Sequence, residues 1–230
     1  MARVLAEAGL DAVYSYAGRT ANPVAQPLPT RSGGFGGAEG LAAYLCEQGM
    51  THVIDATHPF ASEMSRNAIT ACTRAGVALI ALVRAAWPEA PGADWVHVAG
   101  YAEAAAALPG DGSGVFLAIG RQNLAPFLGC DHRWLLRFAE VAAHPLRDAT
   151  LVVSRGPFSV PGDLELMRRH QIRHLVAKNA GGRASLAKLV AARELGIRVV
   201  MIDRPCLPPR HAVASPAEVM AWLGHAERGV

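Results

Sequence analysis

Short apolar, β-branched runs alternate with alanine-rich stretches of helical spacing along most of this 230-residue chain. That alternation is the pattern of βαβ units built around a mainly parallel sheet, and it predicts an α/β fold. The strand candidates are residues 11–16, 52–55, 78–83, 115–119, 151–154, 174–177 and 198–202, several of them continuous apolar runs of the kind buried parallel strands require. Helices are predicted over 38–48, 62–75, 163–171, 183–195 and 216–226, with glycine or proline at nearly every join. Turn-forming residues crowd into 108–114 after a helix ending near Ala107, so the expected division is an N-terminal lobe of residues 1–110 and a second lobe of residues 111–230. Two small α/β lobes with a cleft between them are expected, with ligands at the C-terminal ends of the strands. The chain opens directly on the helix-forming stretch 2–8, stopped by Gly9, where a dinucleotide fold normally begins with a strand and a glycine loop. Either that strand and loop belong to a longer chain, or the protein does without the usual phosphate loop.

Composition narrows the function classes. Hydrophobic residues make up 51% and charged residues 18%, as in a globule with a real core. The 22 basic and 19 acidic residues leave a formal charge of +3, and the basic ones are scattered singly, without the stripe that nucleic-acid binding leaves; an anionic small molecule is compatible. Cys46, Cys72, Cys130 and Cys206 stand far apart in no CxxC spacing, which argues against a zinc site and a disulfide framework and for a reducing cytoplasm. There is no run resembling a membrane span or a signal peptide, no HExxH pair and no GxSxG turn. A monomer without a metal, a nucleic-acid partner or a membrane is expected.

Five loops could carry chemistry. Gly33, Gly34, Gly36 and Gly37 lead into a helix, either as a flexible turn or as bare amides cradling an anion. Arg19 and Thr20 follow the strand at 11–16, where a dinucleotide site reads the ribose 2′ position; an arginine there suits a 2′-phosphate, or is simply a solvated loop residue. Thr57, His58, Pro59 and Phe60 sit between a strand and the first turn of a helix, and His58 is either a cap or a proton carrier. Arg155, Gly156, Pro157 and Phe158 follow one apolar strand of the second lobe. Lys178, Asn179, Gly181 and Gly182 follow another, bringing two cations to helix starts that could hold an anion.

Taken together, the segments AGRT at 17–20, RSGGFGG at 31–37, DATHPFA at 55–61, RGPF at 155–158, KNAGG at 178–182 and VMIDRP at 200–205 resemble the precorrin-6A reductase family of cobalamin biosynthesis. The resemblance spans nearly the whole chain. It implies two Rossmann-like lobes and an NADPH-dependent oxidoreductase that reduces one macrocycle double bond of precorrin-6A, or its cobalt form, to precorrin-6B. Arg19, Thr20, Gly33, Gly34, Gly36, Gly37, Thr57, His58, Pro59 and Phe60 would then line the cofactor. Arg155, Gly156, Pro157, Phe158, Lys178, Asn179, Gly181 and Gly182 would face a tetrapyrrole rich in carboxylates. His58, Lys178 or a water molecule would supply the proton that must accompany the hydride. The alternative is a tetrapyrrole carrier of the same pathway without activity.

Overall fold

In the computed structural model, residues 1–18 and 24–226 are described. In chain order the elements are α1 (Ala2–Glu7), β1 (Tyr14–Tyr16), β2 (Thr30–Ser32), α2 (Gly37–Glu47), β3 (His52–Asp55), α3 (Ser62–Ala75), β4 (Ala78–Leu82), β5 (Trp95–Val98) and α4 (Tyr101–Ala106). They continue with β6 (Gly114–Ala118), β7 (Arg133–Phe138), β8 (Ala149–Val153), α5 (Val160–Arg169), β9 (Ile172–Lys178), α6 (Ala187–Glu194), β10 (Arg198–Ile202), β11 (Ala212–Val213) and α7 (Pro216–Ala226). The α/β class expected from the sequence is observed, and every strand pairing is parallel.

The chain forms two compact units, Met1–Arg84 with Cys206–Val230, and Ala85–Pro205. The division expected at 110/111 falls instead inside the second unit. The reason is strand pairing: β5 already hydrogen-bonds to β10, with Trp95 opposite Val199, so the chain has joined the second sheet before it reaches the turn at 108–114. Likewise β11 returns to the first unit, with Ala212 opposite Ala81 of β4.

Unit 1 holds the β1–β2 pair and a three-stranded sheet in the order β11-β4-β3. Helix α3 buries Ser65, Ala68, Ala71 and Cys72, a spacing of three and four that makes one small-residue face. That face packs on Leu41 and Leu45 of α2. Gly76, at φ 66°, ends α3 in the left-handed conformation that a side chain would resist. At the start of α7, Ser215 and Glu218 form a reciprocal capping box: the Glu218 carboxylate accepts from Ser215 N–H at 2.9 Å, and Ser215 Oγ accepts from Glu218 N–H at 3.3 Å.

Unit 2 is a six-stranded sheet in the order β5-β10-β9-β6-β7-β8. Its central strands are apolar on both faces, with Phe116, Leu117, Leu135, Leu136, Leu175, Val176 and Met201 each no more than 1% exposed. From β6 the chain winds outward through β7 and β8, then returns to lay β9 and β10 on the other side of β6. The winding direction reverses between β6 and β9, the place where sheets of this kind open a crevice at their C-terminal edge. Lys178 is the last residue of β9.

Candidate functional site

Asp55 closes β3 and organises the loop that follows. Its Oδ1 accepts from Thr57 N–H at 3.1 Å and Thr57 Oγ1 at 2.6 Å, and its Oδ2 accepts from Ser65 Oγ at 2.7 Å and from the Arg210 guanidinium. Burial raises the carboxyl pKa, but the hydrogen bonds from Thr57 and Ser65, with the Arg210 charge, outweigh it and hold Asp55 below the ordinary range. Asp55 is thus a fixed, buried anion that shapes the segment Thr57 to Phe60 just before α3. His58 Nδ1 accepts the Phe60 N–H at 3.2 Å, so the neutral ring carries its proton on Nε2.

The glycine loop follows β2 and enters α2. Arg31, the first residue of the motif at 31–37 and given no role of its own by the sequence, braces the loop: its guanidinium donates to the carbonyls of Gly33 at 3.0 Å and Gly34 at 3.2 Å and to Ser15 Oγ at 2.9 Å, and lies 3.8 Å from the centroid of the Phe35 ring. Gly36 caps α2 at φ 82° and no side chain caps the helix's first amides. The backbone donors of that turn therefore fit an anionic group such as a cofactor phosphate. Gly40 is required by close approach, because a Cβ there would lie 1.8 Å from the Phe35 carbonyl oxygen. The two loops lead into α2 and α3, which pack on each other. Arg19 and Thr20 lie outside the described residues.

In unit 2 the two expected loops meet. The Phe158 N–H reaches the Ala184 carbonyl at 3.4 Å, joining the segment after β8 to the segment after β9. Arg155 spends its guanidinium on the Glu140 carboxylate at 2.6 Å and the Ala139 carbonyl at 3.2 Å, in an exposed pair. Asn179 is 7% exposed and turns its carboxamide onto the Trp87 main chain, accepting at 2.8 Å and donating at 3.2 Å. Gly156 and Pro157 connect Arg155 to Phe158, whose ring lies 3.8 Å from the Arg137 guanidinium carbon.

Three charged residues here carried no sequence signal. Arg137 of β7 forms a buried ion pair with Asp163 of α5, and the other carboxylate oxygen of Asp163 meets no donor among the described residues. Lys188 of α6 is 6% exposed, donates to the Ser185 carbonyl at 2.6 Å and sits 4.9 Å from the Trp87 ring centroid. Burial, reinforced by Arg137 and Lys178 and opposed by Asp163, brings its pKa down to about 8. Burial also lowers the pKa of Lys178. Lys188 thus lies within electrostatic reach of Arg137, Asp163 and Lys178, the first on β7 and the last at the end of β9. His58 and Lys178 belong to different units. Among the described residues no helix is long and apolar enough to cross a membrane.

Known proteins match this chain end to end. The model of the precorrin-6x reductase CbiJ/CobK family matches residues 1–224. The chain belongs to that family. It is 53% identical over 236 residues to the precorrin-6A reductase of Rhodobacter capsulatus, covering 100% of this chain and 94% of that one. It is 44% identical to the precorrin-6A reductase of Rhodococcus erythropolis, over 97% of this chain and 93% of that one. Family members share the architecture as well: a solved CobK precorrin-6A reductase superposes with a TM-score of 0.92 at 53% identity, covering 100% of this chain and 92% of that chain.

Proposed function

We propose that this protein is a precorrin-6A reductase in which unit 1 holds NADPH and unit 2 receives the tetrapyrrole. Family membership supports the reaction. The observation that supports the placement of substrate is the group of cations, Arg137, Lys178 and Lys188, gathered where the sheet of unit 2 reverses its winding. A macrocycle bearing acetate and propionate carboxylates is the complementary ligand for such a group.

In unit 1 the open first turn of α2 and the amides of Gly33, Gly34, Gly36 and Gly37 take cofactor phosphate. Thr57, His58, Pro59 and Phe60, held by Asp55, line the adjoining part, and Arg19 with Thr20 reads the 2′-phosphate. NADPH supplies the hydride. A proton from His58 Nε2 or Lys178 Nζ completes the addition of two hydrogens across one macrocycle double bond, and the protein works as a cytoplasmic monomer.

The test is direct. Purified protein given precorrin-6A should consume NADPH and yield a product two hydrogens heavier; no consumption refutes the reductase reading. In a titration without substrate NADPH should bind more tightly than NADH, and Arg19→Ala should erase most of that preference; equal affinity in the unaltered protein removes the role given to Arg19. Loss of the pH dependence of kcat in His58→Ala or in Lys178→Ala identifies the proton donor.

A further inference from the structure

The segment from Lys178 to Ser185 is held with a consistent polarity. The carbonyl of Asn179 accepts from Arg204 Nε at 2.9 Å and that of Ala180 from the same guanidinium at 3.2 Å. The carbonyl of Gly182 accepts from the Trp87 indole Nε1–H at 2.9 Å, that of Ala184 from Phe158 N–H, and that of Ser185 from Lys188 Nζ at 2.6 Å. Five carbonyls are thus turned toward protein donors, whereas the N–H groups of Gly181 and Gly182 meet no protein acceptor among the described residues. Holding these carbonyls fixes the backbone of the loop, and the amides of Gly181 and Gly182, with their partial positive charge, are left to meet an anion.

Trp87 is the hub of this arrangement. It uses its main-chain N–H and C=O on the Asn179 carboxamide, its indole N–H on Gly182, and its ring face on the Lys188 ammonium. The approach of the segment bearing it to the loop is so close that a Cβ on Gly181, at φ 69°, would lie 2.0 Å from the Ala85 carbonyl oxygen. We infer that Trp87 is a positioning residue for the reaction, fixing loop 178–182 so that Lys178 and the amides of Gly181 and Gly182 form a preorganised edge for a substrate carboxylate. The inference rests on the assignment of this loop to the tetrapyrrole made above. Preorganisation of this kind lowers the ordering cost of binding and leaves the cofactor side untouched.

Trp87→Phe isolates one of these contacts, since it keeps a ring beside Lys188 and the main-chain bonds to Asn179 while deleting the indole N–H. Steady-state kinetics should show the KM for precorrin-6A rising about five- to tenfold, the scale of one lost hydrogen bond, with the KM for NADPH within about twofold of its original value. Asn179→Ala, which frees the other end of the clasp, should shift the same parameter in the same direction, and serves if Trp87→Phe folds poorly. A lowered melting temperature with both KM values unchanged would make the clasp purely structural and overturn the inference. Lys178→Ala separates the two levels of argument. If it raises the KM for precorrin-6A and the clasp variants do not, the positioning role falls and the substrate assignment stands. If all three leave that KM unchanged, the substrate assignment fails and the positioning role fails with it.

Discussion

Replacing Lys188 by Met removes an ammonium that the fold keeps almost fully out of water, and the structure fixes how the consequence varies with pH. The side chain goes from an ordinary pKa of 10.5 to about 8 on folding, chiefly through burial. At 1.36 kcal/mol per decade this is a penalty of about 3 kcal/mol on the charged form. Below pH 8 both folded and unfolded chains carry the charge and the penalty is present in full. Between pH 8 and 10.5 the folded protein releases the proton while the unfolded chain retains it, so the contribution to stability rises with pH. Other groups titrate in this range with the opposite sign. The Cys72 thiol, pushed up to about 11 by burial and by Asp55, and the Tyr101 hydroxyl, raised by burial, both lose stability as the unfolded chain ionises first. They are common to both proteins and cancel in the difference. Urea unfolding at a series of pH values should therefore show the stability of the unaltered protein rising relative to Lys188→Met by about 2–3 kcal/mol between pH 7 and 10.5. Parallel curves, differing by a constant offset over that range, would refute the buried, strongly perturbed ammonium described here.

Arg210→Ala leaves the Asp55 carboxylate buried with only its hydrogen bonds, and should cost about 3 kcal/mol in urea unfolding; a loss below about 0.5 kcal/mol would show that the guanidinium is dispensable. Gly40→Ala drives a methyl into the Phe35 carbonyl oxygen, 1.8 Å from the ideal Cβ position, so α2 or the glycine loop must shift. It should destabilise the protein by about 1–3 kcal/mol and weaken NADPH binding in the same titration used for Arg19→Ala, and an unchanged dissociation constant would separate this glycine from the cofactor loop.

Regular elements were legible wherever local pattern and tertiary context agreed. The strands at 52–55 and 198–202 and the helices at 62–75 and 216–226 are observed with the predicted bounds. Helix α5 begins three residues ahead of the expected 163 because Ser159 caps it, accepting from Gly162 N–H, with a proline in the first turn. The predicted helix at 183–195 opens as a short 3-10 turn at Arg183–Ser185 before α6 begins. Strand β7 was missed because arginines at 133 and 137 interrupt its apolar run, and the second of them is buried only by virtue of Asp163, 26 residues away. Strand β5 is four residues long at a sheet edge, with its middle residues exposed, so it lacks the continuous apolar character that marks buried strands. The site divides along the same line. The glycine loop and the segments after β3 and β9 announce themselves through local chemistry, whereas Trp87 meets Asn179 across 92 residues and Arg210 meets Asp55 across 155. A lone arginine in a proline-rich stretch gives no hint of such a partner. Local sequence singles out candidate loops, and long-range packing decides which residues hold those loops in place.

The return of β11 and α7 to unit 1 has an implication for biosynthesis. Unit 2 is a continuous stretch of chain, Ala85–Pro205, while unit 1 is assembled from segments on either side of it. As the ribosome proceeds, all six strands of the second sheet emerge before β11, the second of the two strands that pair with β4, has been made. Unit 2 can therefore mature during translation, while β4 keeps an unsatisfied edge until the residues after Cys206 arrive. A stall within those last residues would leave the pair formed by Asp55 and Arg210 half built, with the loop bearing His58 unanchored.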